Sequence, residues 1–389
     1  MTGKVEAATR ATYVAFIGAG FAFASWASRI PQVKAHLHLS PSELGLVLFA
    51  IAAGSVIALP LSGRVVGRWG SHRTVGTTAV VLALGLAIAA VGYRFGVVPV
   101  MVGLFVFGLA NGGWDVAMNV QAAEVERRVG SAIMSRFHAG FSVGTVAGAL
   151  LGALMVASHV PVTIHLAAVA VAVAVAVPLA VRGFLADHPV PAGEGRSRTS
   201  AWAAWLEPRT LLIGIFVLAF AFAEGTGNDW IGVAVIDGYH AAPVLGTLTF
   251  AVFLAAMTVG RWFGPGLLDR YGRVPVVRAV AVLGVLGLAV FVFGGSTAAA
   301  FGGAVLWGAG VSLGFPVGMS AGADDPARAA SRVSVVASIG YCAFLAGPPV
   351  VGFLGQRFTV LHALTSVAVL LGAAALIASS VRPLPPPDR

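Results

Sequence analysis

The sequence predicts an all-α polytopic membrane protein, with twelve transmembrane helices arranged as two six-helix repeats. Three observations predict it. First, the 389-residue chain is 58% hydrophobic and only 10% charged. Soluble domains carry about 25% charged residues, and a globule of this size needs more polar surface than this chain owns. Second, apolar runs of about 20 residues, the length needed to cross hydrocarbon, recur twelve times. Third, loop and glycine motifs return at an offset of about 200 residues.

The first six runs lie near Ala11–Ser28, Glu43–Leu61, Thr74–Tyr93, Val97–Asn119, Phe137–Ala157 and Pro161–Val181. The last six lie near Leu211–Ile231, Val244–Leu268, Val274–Gly294, Ala298–Ser320, Val333–Phe353 and Val360–Ser380. The first run follows Lys4 and Arg10 but has no small-residue cleavage site, so it reads as a retained span. The sixth contains VAVAVAVAV, which alternates like a strand. A lone strand in lipid leaves its backbone groups unpaired, so helix is expected there. Residues 185–210, LADHPVPAGEGRSRTSAWAAWLEPRT, are rich in Pro, Gly, Ser and Arg and suit a cytoplasmic linker. The expected organisation is a six-helix bundle over 1–184, that linker, and a second bundle over 211–389 with a short tail.

Twelve spans place both termini on one side. With that count, twenty of the 24 lysines and arginines fall on the side of the termini, and Arg29, Lys34, Arg94 and Arg357 fall opposite. Positive charge concentrates in cytoplasmic loops, so both termini are expected in the cytoplasm. The net charge of +9 fits loops facing an anionic membrane surface, and no nucleic-acid partner is expected. Cys342 is the single cysteine, so no disulfide within the chain and no cysteine metal site is possible.

The loop after the second run reads GRVVGRWGSHR, from Gly63 to Arg73, and the loop after the eighth reads PGLLDRYGR, from Pro265 to Arg273. Arg68, Trp69 and Gly70 align with Arg270, Tyr271 and Gly272. Gly140 and Gly152 align with Gly340 and Gly352. Paired halves of this kind are a transporter signature. On these residues the chain resembles the major facilitator superfamily, whose loops carry G-x-x-x-D-R-x-G-R-R/K. Asp269, Arg270, Gly272 and Arg273 match in the second copy. Gly63, Arg68, Gly70 and Arg73 match in the first, where Gly67 replaces the aspartate. The resemblance implies rocking of two six-helix halves and a cytoplasmic gate held by charge pairs. Asp269 would pair with Arg332 at the start of the eleventh helix, with Arg136 also near the gate. The first half lacks the matching carboxylate.

A narrower resemblance is to the fucose-permease-like branch and related bacterial inner-membrane proteins. It rests on DVAMN (Asp115–Asn119), SRFHAGFSVG, AEGTGNDW (Ala223–Trp230), GFPVGMSA and GYCAFLAGPPVVGFLG. In fucose permeases the acidic residue matching Asp115 is linked to proton coupling.

The residues themselves point the same way. Asn111, Asp115 and Asn119 are spaced i, i+4, i+8, so they share one face of the fourth helix. A carboxylate in hydrocarbon is costly, so this face must meet other helices or water. Asp115 either exchanges a proton or binds solute, or it ties the fourth helix to the fifth through Arg136 or His138. Glu224 and Asn228 share a face of the seventh helix and form the second candidate pair. Asp229 reads as a solvated or structural end residue and Trp230 as an interfacial anchor. His138 titrates near neutral pH in principle but equally serves as a hydrogen-bonded structural residue. Trp26 and Arg29 close the first span, where Arg29 is a solvated outer arginine or a contact at the mouth. Phe315 and Tyr341 flank Pro316, Pro348 and Pro349, which are expected to bend the tenth and eleventh helices, and they could line a cavity. The ladders Gly140, Gly144, Gly148, Gly152 and Gly310, Gly314, Gly318, Gly322 are expected to be packing surfaces that let backbones approach.

What is missing narrows the function. No G-x-x-x-x-G-K-[ST] is present, so there is no ATP motor. GAGFAF and GAGVSLG lie inside apolar runs without a preceding strand, so they are not dinucleotide sites. No metal set, cofactor site or nucleophile–base pair stands out, and an enzyme is not expected. The fourth helix lacks the basic residue, and the fifth the Gly-Pro signature, of many drug–proton antiporters of the superfamily. The expected function is a proton-coupled secondary transporter of a small polar solute, such as a sugar, acting as a monomer in a bacterial inner membrane. A metabolite or drug exporter is the alternative with the same fold, and a non-transporting sensor is the remote one.

Overall fold

A computed structural model describes residues 3–130, 133–187, 203–325 and 328–384. The middle of the expected linker, with Arg196 and Arg198, lies outside the described residues. So does Arg389. Among the described residues the chain is helical throughout, with no strand. The run VAVAVAVAV is inside a helix, as backbone satisfaction in lipid requires.

In chain order the membrane helices begin with α1 (Gly3–Ala27), followed by the short helix Ile30–His36. A 52-residue helical run, Pro41–Gly92, comes next. Unbroken, it would reach about 78 Å at 1.5 Å per residue, more than twice the ~30 Å of hydrocarbon. It is broken at Gly70, which has φ 78° and ψ 161°, a conformation that needs glycine. The run is therefore two crossings, α2 (41–69) and α3 (71–92). Then come α4 (Val97–Val129), α5 (Met134–Ala157) and α6 (Val162–Ala180). The second set is α7 (Pro208–Tyr239), α8 (Pro243–Tyr271), α9 (Arg273–Phe293), α10 (Thr297–Gly322), α11 (Ala329–Arg357) and α12 (Val360–Val381). Among the described residues eleven helical runs are long and apolar enough to cross a membrane. The broken one supplies the twelfth crossing.

Local chemistry sets several boundaries. Ser40 and Glu43 form a reciprocal capping box at the start of α2, with Pro41 in the first turn. Gly130 ends α4 in the left-handed conformation at φ 72°. His38, His159 and His240 occupy left-handed positions in the turns before α2, α6 and α8, and histidine is among the non-glycine residues enriched there.

The chain divides into two compact units, Met1–Val190 with Ala242–Ala251 and Pro191–Ala241 with Val252–Arg389. Within the first, close backbone approaches are made through glycine. A Cβ on Gly108 would overlap the carbonyl of Ile51 on α2, and a Cβ on Gly103 would overlap Gly85 and Ala89 on α3. The α5 ladder meets α1: Gly144 lies on Ile17, Gly148 on Phe21 and Gly152 on Ser28. Within the second unit Gly308 lies on Phe253 of α8, and Gly303 on Gly287 and Phe291 of α9. The α10 ladder also packs, with Gly310 on Gly284, Gly314 on Phe220 and Gly318 on Val217. Both ladders are packing surfaces. Trp26, Trp114, Trp230 and Trp307 are fully buried. Trp230 is thus a core residue and not an interfacial anchor, because α7 continues to Tyr239 beyond it.

Prolines act differently from the expectation in one helix. Pro348 and Pro349 are carried inside α11 without interrupting it. In α10 the break falls between Val311 and Gly314. Pro316 has no N–H for the carbonyl of Ser312 and crowds it, so the fault appears one turn before the proline.

Candidate functional site

In the first unit, Asp115 is the nineteenth residue of the 33-residue α4, well inside the span. It lies between two packed faces: Gly108 and Gly112 meet Ile51 and Ser55 of α2, and Trp114 meets Gly18 of α1. Asn119 Nδ2 donates to the Asp115 carbonyl at 2.8 Å and to Asp115 Oδ1 at 3.3 Å. That is the carboxylate's single hydrogen bond among the described residues, and it forms no ion pair there. Asn111 is half-buried one turn earlier.

The expected tie from Asp115 to Arg136 or His138 is therefore not made. The reason is packing: the glycine face of α5 is spent on α1, while that of α4 is spent on α2. Arg136 is exposed, and His138 sits edge-on to Phe16 of α1 at 5.1 Å. Arg29 is not a solvated arginine. It is 2% exposed, and its Nε donates to His165 Nδ1 at 3.0 Å while Nη2 donates to the Val160 carbonyl at 2.5 Å. It binds the end of α1 to α6, beside the buried Trp26. His165 went unnoticed in the sequence because a lone histidine in an apolar run carries no spacing signal.

In the second unit, Glu224 lies at the middle of α7. Arg261 Nη2 donates to both of its carboxylate oxygens, at 2.8 and 2.7 Å. The charge count places Arg261 with the cytoplasmic loop charges, but it is ten residues inside the end of α8. The signal for it was present: an arginine in the middle of AVFLAAMTVGRWFGPGLL needs a buried anion. Its Nε reaches the Ser312 carbonyl at 3.4 Å, the acceptor that Pro316 leaves without a helical donor. Asn228 is one turn beyond Glu224, and its Oδ1 is buried without a hydrogen-bond partner. Asp229 is not at a helix end, since α7 runs ten residues further. Among the described residues it has no ion pair. Tyr341 and Phe344 are tilted against each other with ring centroids 6.3 Å apart, Phe344 lies on Gly225, and Phe315 lies near Gly340.

The loop charges rearrange the expected gate. Asp269 is exposed and joins no ion pair among the described residues. Arg332 instead pairs with Glu207 at 2.6 Å and Asp325 at 3.4 Å. Both carboxylates sit close to Arg332 in the fold, whereas Asp269 points to the surface. Arg273 and Arg209 share Asp324, at 2.7 and 2.9 Å, and Arg328 adds a bond to Glu207 at 3.1 Å. The hydrogen bond from Arg332 is the main reason the Glu207 carboxyl is held below its ordinary range. Arg270 lies over the Tyr271 ring at 5.2 Å. In the first unit Arg68 is exposed, but the break at Gly70 does have a carboxylate. Asp187 accepts from the backbone N–H and the hydroxyl of Ser71. It comes from the segment after α6, not from position 67 of the loop motif.

The comparisons agree with this architecture. The family model described as Major Facilitator Superfamily matches residues 12–342. An uncharacterised MFS-type transporter of Yersinia pestis is 31% identical over 371 residues, covering 95% of this chain and 94% of its own. The crystal structure of the nucleoside transporter NupG superposes with a TM-score of 0.75 at 16% identity, covering 96% of this chain and 98% of that one. The E. coli fucose:proton symporter FucP gives 0.66 at 15% identity, over 97% and 98%. The chain belongs to the major facilitator superfamily of membrane transporters.

Proposed function

We propose that the chain is a proton-coupled secondary transporter that carries a small polar solute across the bacterial cytoplasmic membrane by alternating access, with both termini in the cytoplasm. One observation carries the reading: among the described residues Asp115, a carboxylate well inside α4, has no cation and only Asn119 as hydrogen-bond donor. A structural carboxylate at that depth would be paired. One held by a single amide is free to gain and lose a proton as the solute moves. Glu224 is the second acidic group; Asn111 lies one turn from Asp115 on α4, and Asn228 one turn from Glu224 on α7. That structural neighbours are a nucleoside transporter and a fucose:proton symporter supports a polar metabolite as the solute.

The test starts from ligand stabilisation, since a solute that binds the folded chain raises its melting temperature by mass action. Purified chain is screened against sugars, polyols, nucleosides and organic acids, and the hits are offered to proteoliposomes under an imposed pH gradient. Gradient-driven accumulation of a stabilising solute is expected. Stabilising solutes that equilibrate without accumulating would sink the proton-coupled reading.

A further inference from the structure

Arg261 is held in an unusual way for an arginine inside a membrane helix. Its Nε rests on the Ser312 carbonyl left over at the α10 break. Its Nη2 is spent on Glu224. Its Nη1 makes no hydrogen bond among the described residues. The two side chains are 28% and 18% exposed. A charged pair facing lipid is costly, so the open edge of this pair faces a polar path. Among the described residues no other charge pairs with either group. Glu224 is met from α8 by Arg261, whose Nε also reaches the Ser312 carbonyl at the α10 break, and the uncharged Phe344 of α11 lies on Gly225, the next residue of α7. The next carboxylate on α7, Asp229, is five residues on and about 140° around the helix.

We propose that Arg261 is the docking point for a carboxylate on the transported solute, and that Glu224 is the resident carboxylate it displaces. The guanidinium fork is built to take carboxylates. The charges then fix the stoichiometry. At rest the pair sums to zero. A solute carboxylate entering beside ionised Glu224 would leave one uncompensated negative charge in a low-dielectric site, which is strongly unfavourable. Protonation of Glu224 restores neutrality, releases Nη2 and lets it pair with the solute. The Ser312 carbonyl keeps the guanidinium in place during the exchange. One proton is therefore taken up at Glu224 with each carboxylate, in addition to the one that Asp115 exchanges. This rests on the transporter reading above and narrows its solute to carboxylate-bearing polar metabolites, such as sugar acids.

The experiment uses the purified full chain and three matched pairs: glucuronate and glucose, galacturonate and galactose, gluconate and glucitol. Melting temperature and affinity are read from pH 5.5 to 8. At least one acid is expected to stabilise more than its neutral partner. Its affinity should weaken tenfold per pH unit as one linked proton is lost. Arg261→Gln should abolish the stabilisation. Glu224→Gln should keep it and remove its pH dependence. The proposal is overturned if no acid exceeds its neutral partner, if the acid's affinity is flat with pH in the unaltered chain, or if binding survives Arg261→Gln. Should Arg261→Gln not fold, the pH slope and its loss in Glu224→Gln decide alone. Gradient-driven uptake of neutral sugars only would overturn this proposal and leave the transporter reading standing.

Discussion

The two halves repeat their scaffold and not their chemistry. Gly103 on Gly85 in the first half is matched by Gly303 on Gly287 in the second, and Gly108 on Ile51 is matched by Gly308 on Phe253. The loop glycines agree in torsion, with φ 78° and ψ 161° at Gly70 and φ 81° and ψ 164° at Gly272. At the same offsets, however, Asp115 falls on Phe315, Val116 on Pro316 and Leu59 on Arg261. So α4 is unbroken and carries an unpaired acid, while α10 is broken and offers a backbone carbonyl to an arginine. Backbone-to-backbone contacts tolerate only glycine and persist in both copies. Polar groups in the membrane are expensive, and here each is placed in one half only.

The largest expected effect breaks this asymmetry. Arg261→Leu, which restores the residue of the first half, leaves Glu224 unpaired and should cost about 3–5 kcal/mol, read by thermal unfolding. Adding Glu224→Leu should recover most of the loss. A single variant as stable as the unaltered chain would show that the pair carries no structural weight. Next come the shared contacts. Gly108→Ala and Gly308→Ala should each cost about 1–3 kcal/mol through overpacking. Loss in one half with indifference in the other would contradict the matched scaffold.

Two smaller effects separate the loop ends. Asp187→Ala removes the acceptor at Ser71 and should cost about 1 kcal/mol, the usual value of an N-terminal cap. An unchanged melting temperature would show that Gly70 alone sets the break. Smallest is Glu207 in the second half. Its folded carboxyl is held low, mainly by the bond from Arg332. Its contribution is therefore present above the unfolded value of about 4.3 and lost as pH falls through the lower folded value. Glu207→Gln should lower stability by under about 1 kcal/mol at pH 7, and the difference should close below about pH 4. A difference that persisted in acid would assign the effect to something other than the carboxylate charge.

The fold was legible in the sequence because lipid imposes it: apolar run length, loop arginines and the glycine repeat are all local signals. Asp115 and Glu224 were legible as charges out of place. Their partners were not. Arg261 looked like a loop residue because it precedes the Asp269–Arg273 motif by only eight positions, and helix ends are poorly marked in apolar sequence. Asp187 and His165 contribute through tertiary contacts with no fixed spacing. The pairing expected between Asp269 and Arg332 failed because motif resemblance places residues in a loop but does not orient their side chains. Pro316 broke its helix one turn upstream, where the lost hydrogen bond lies.

The central claim is that Asp115 exchanges a proton on which the transport cycle depends. It is tested most directly by recording internal pH in proteoliposomes when a stabilising solute is added to the unaltered chain and to Asp115→Asn. The account predicts solute-dependent acidification in the first. In the second it predicts at least a tenfold loss of proton movement, with solute binding retained. Proton movement in Asp115→Asn equal to that of the unaltered chain would contradict it.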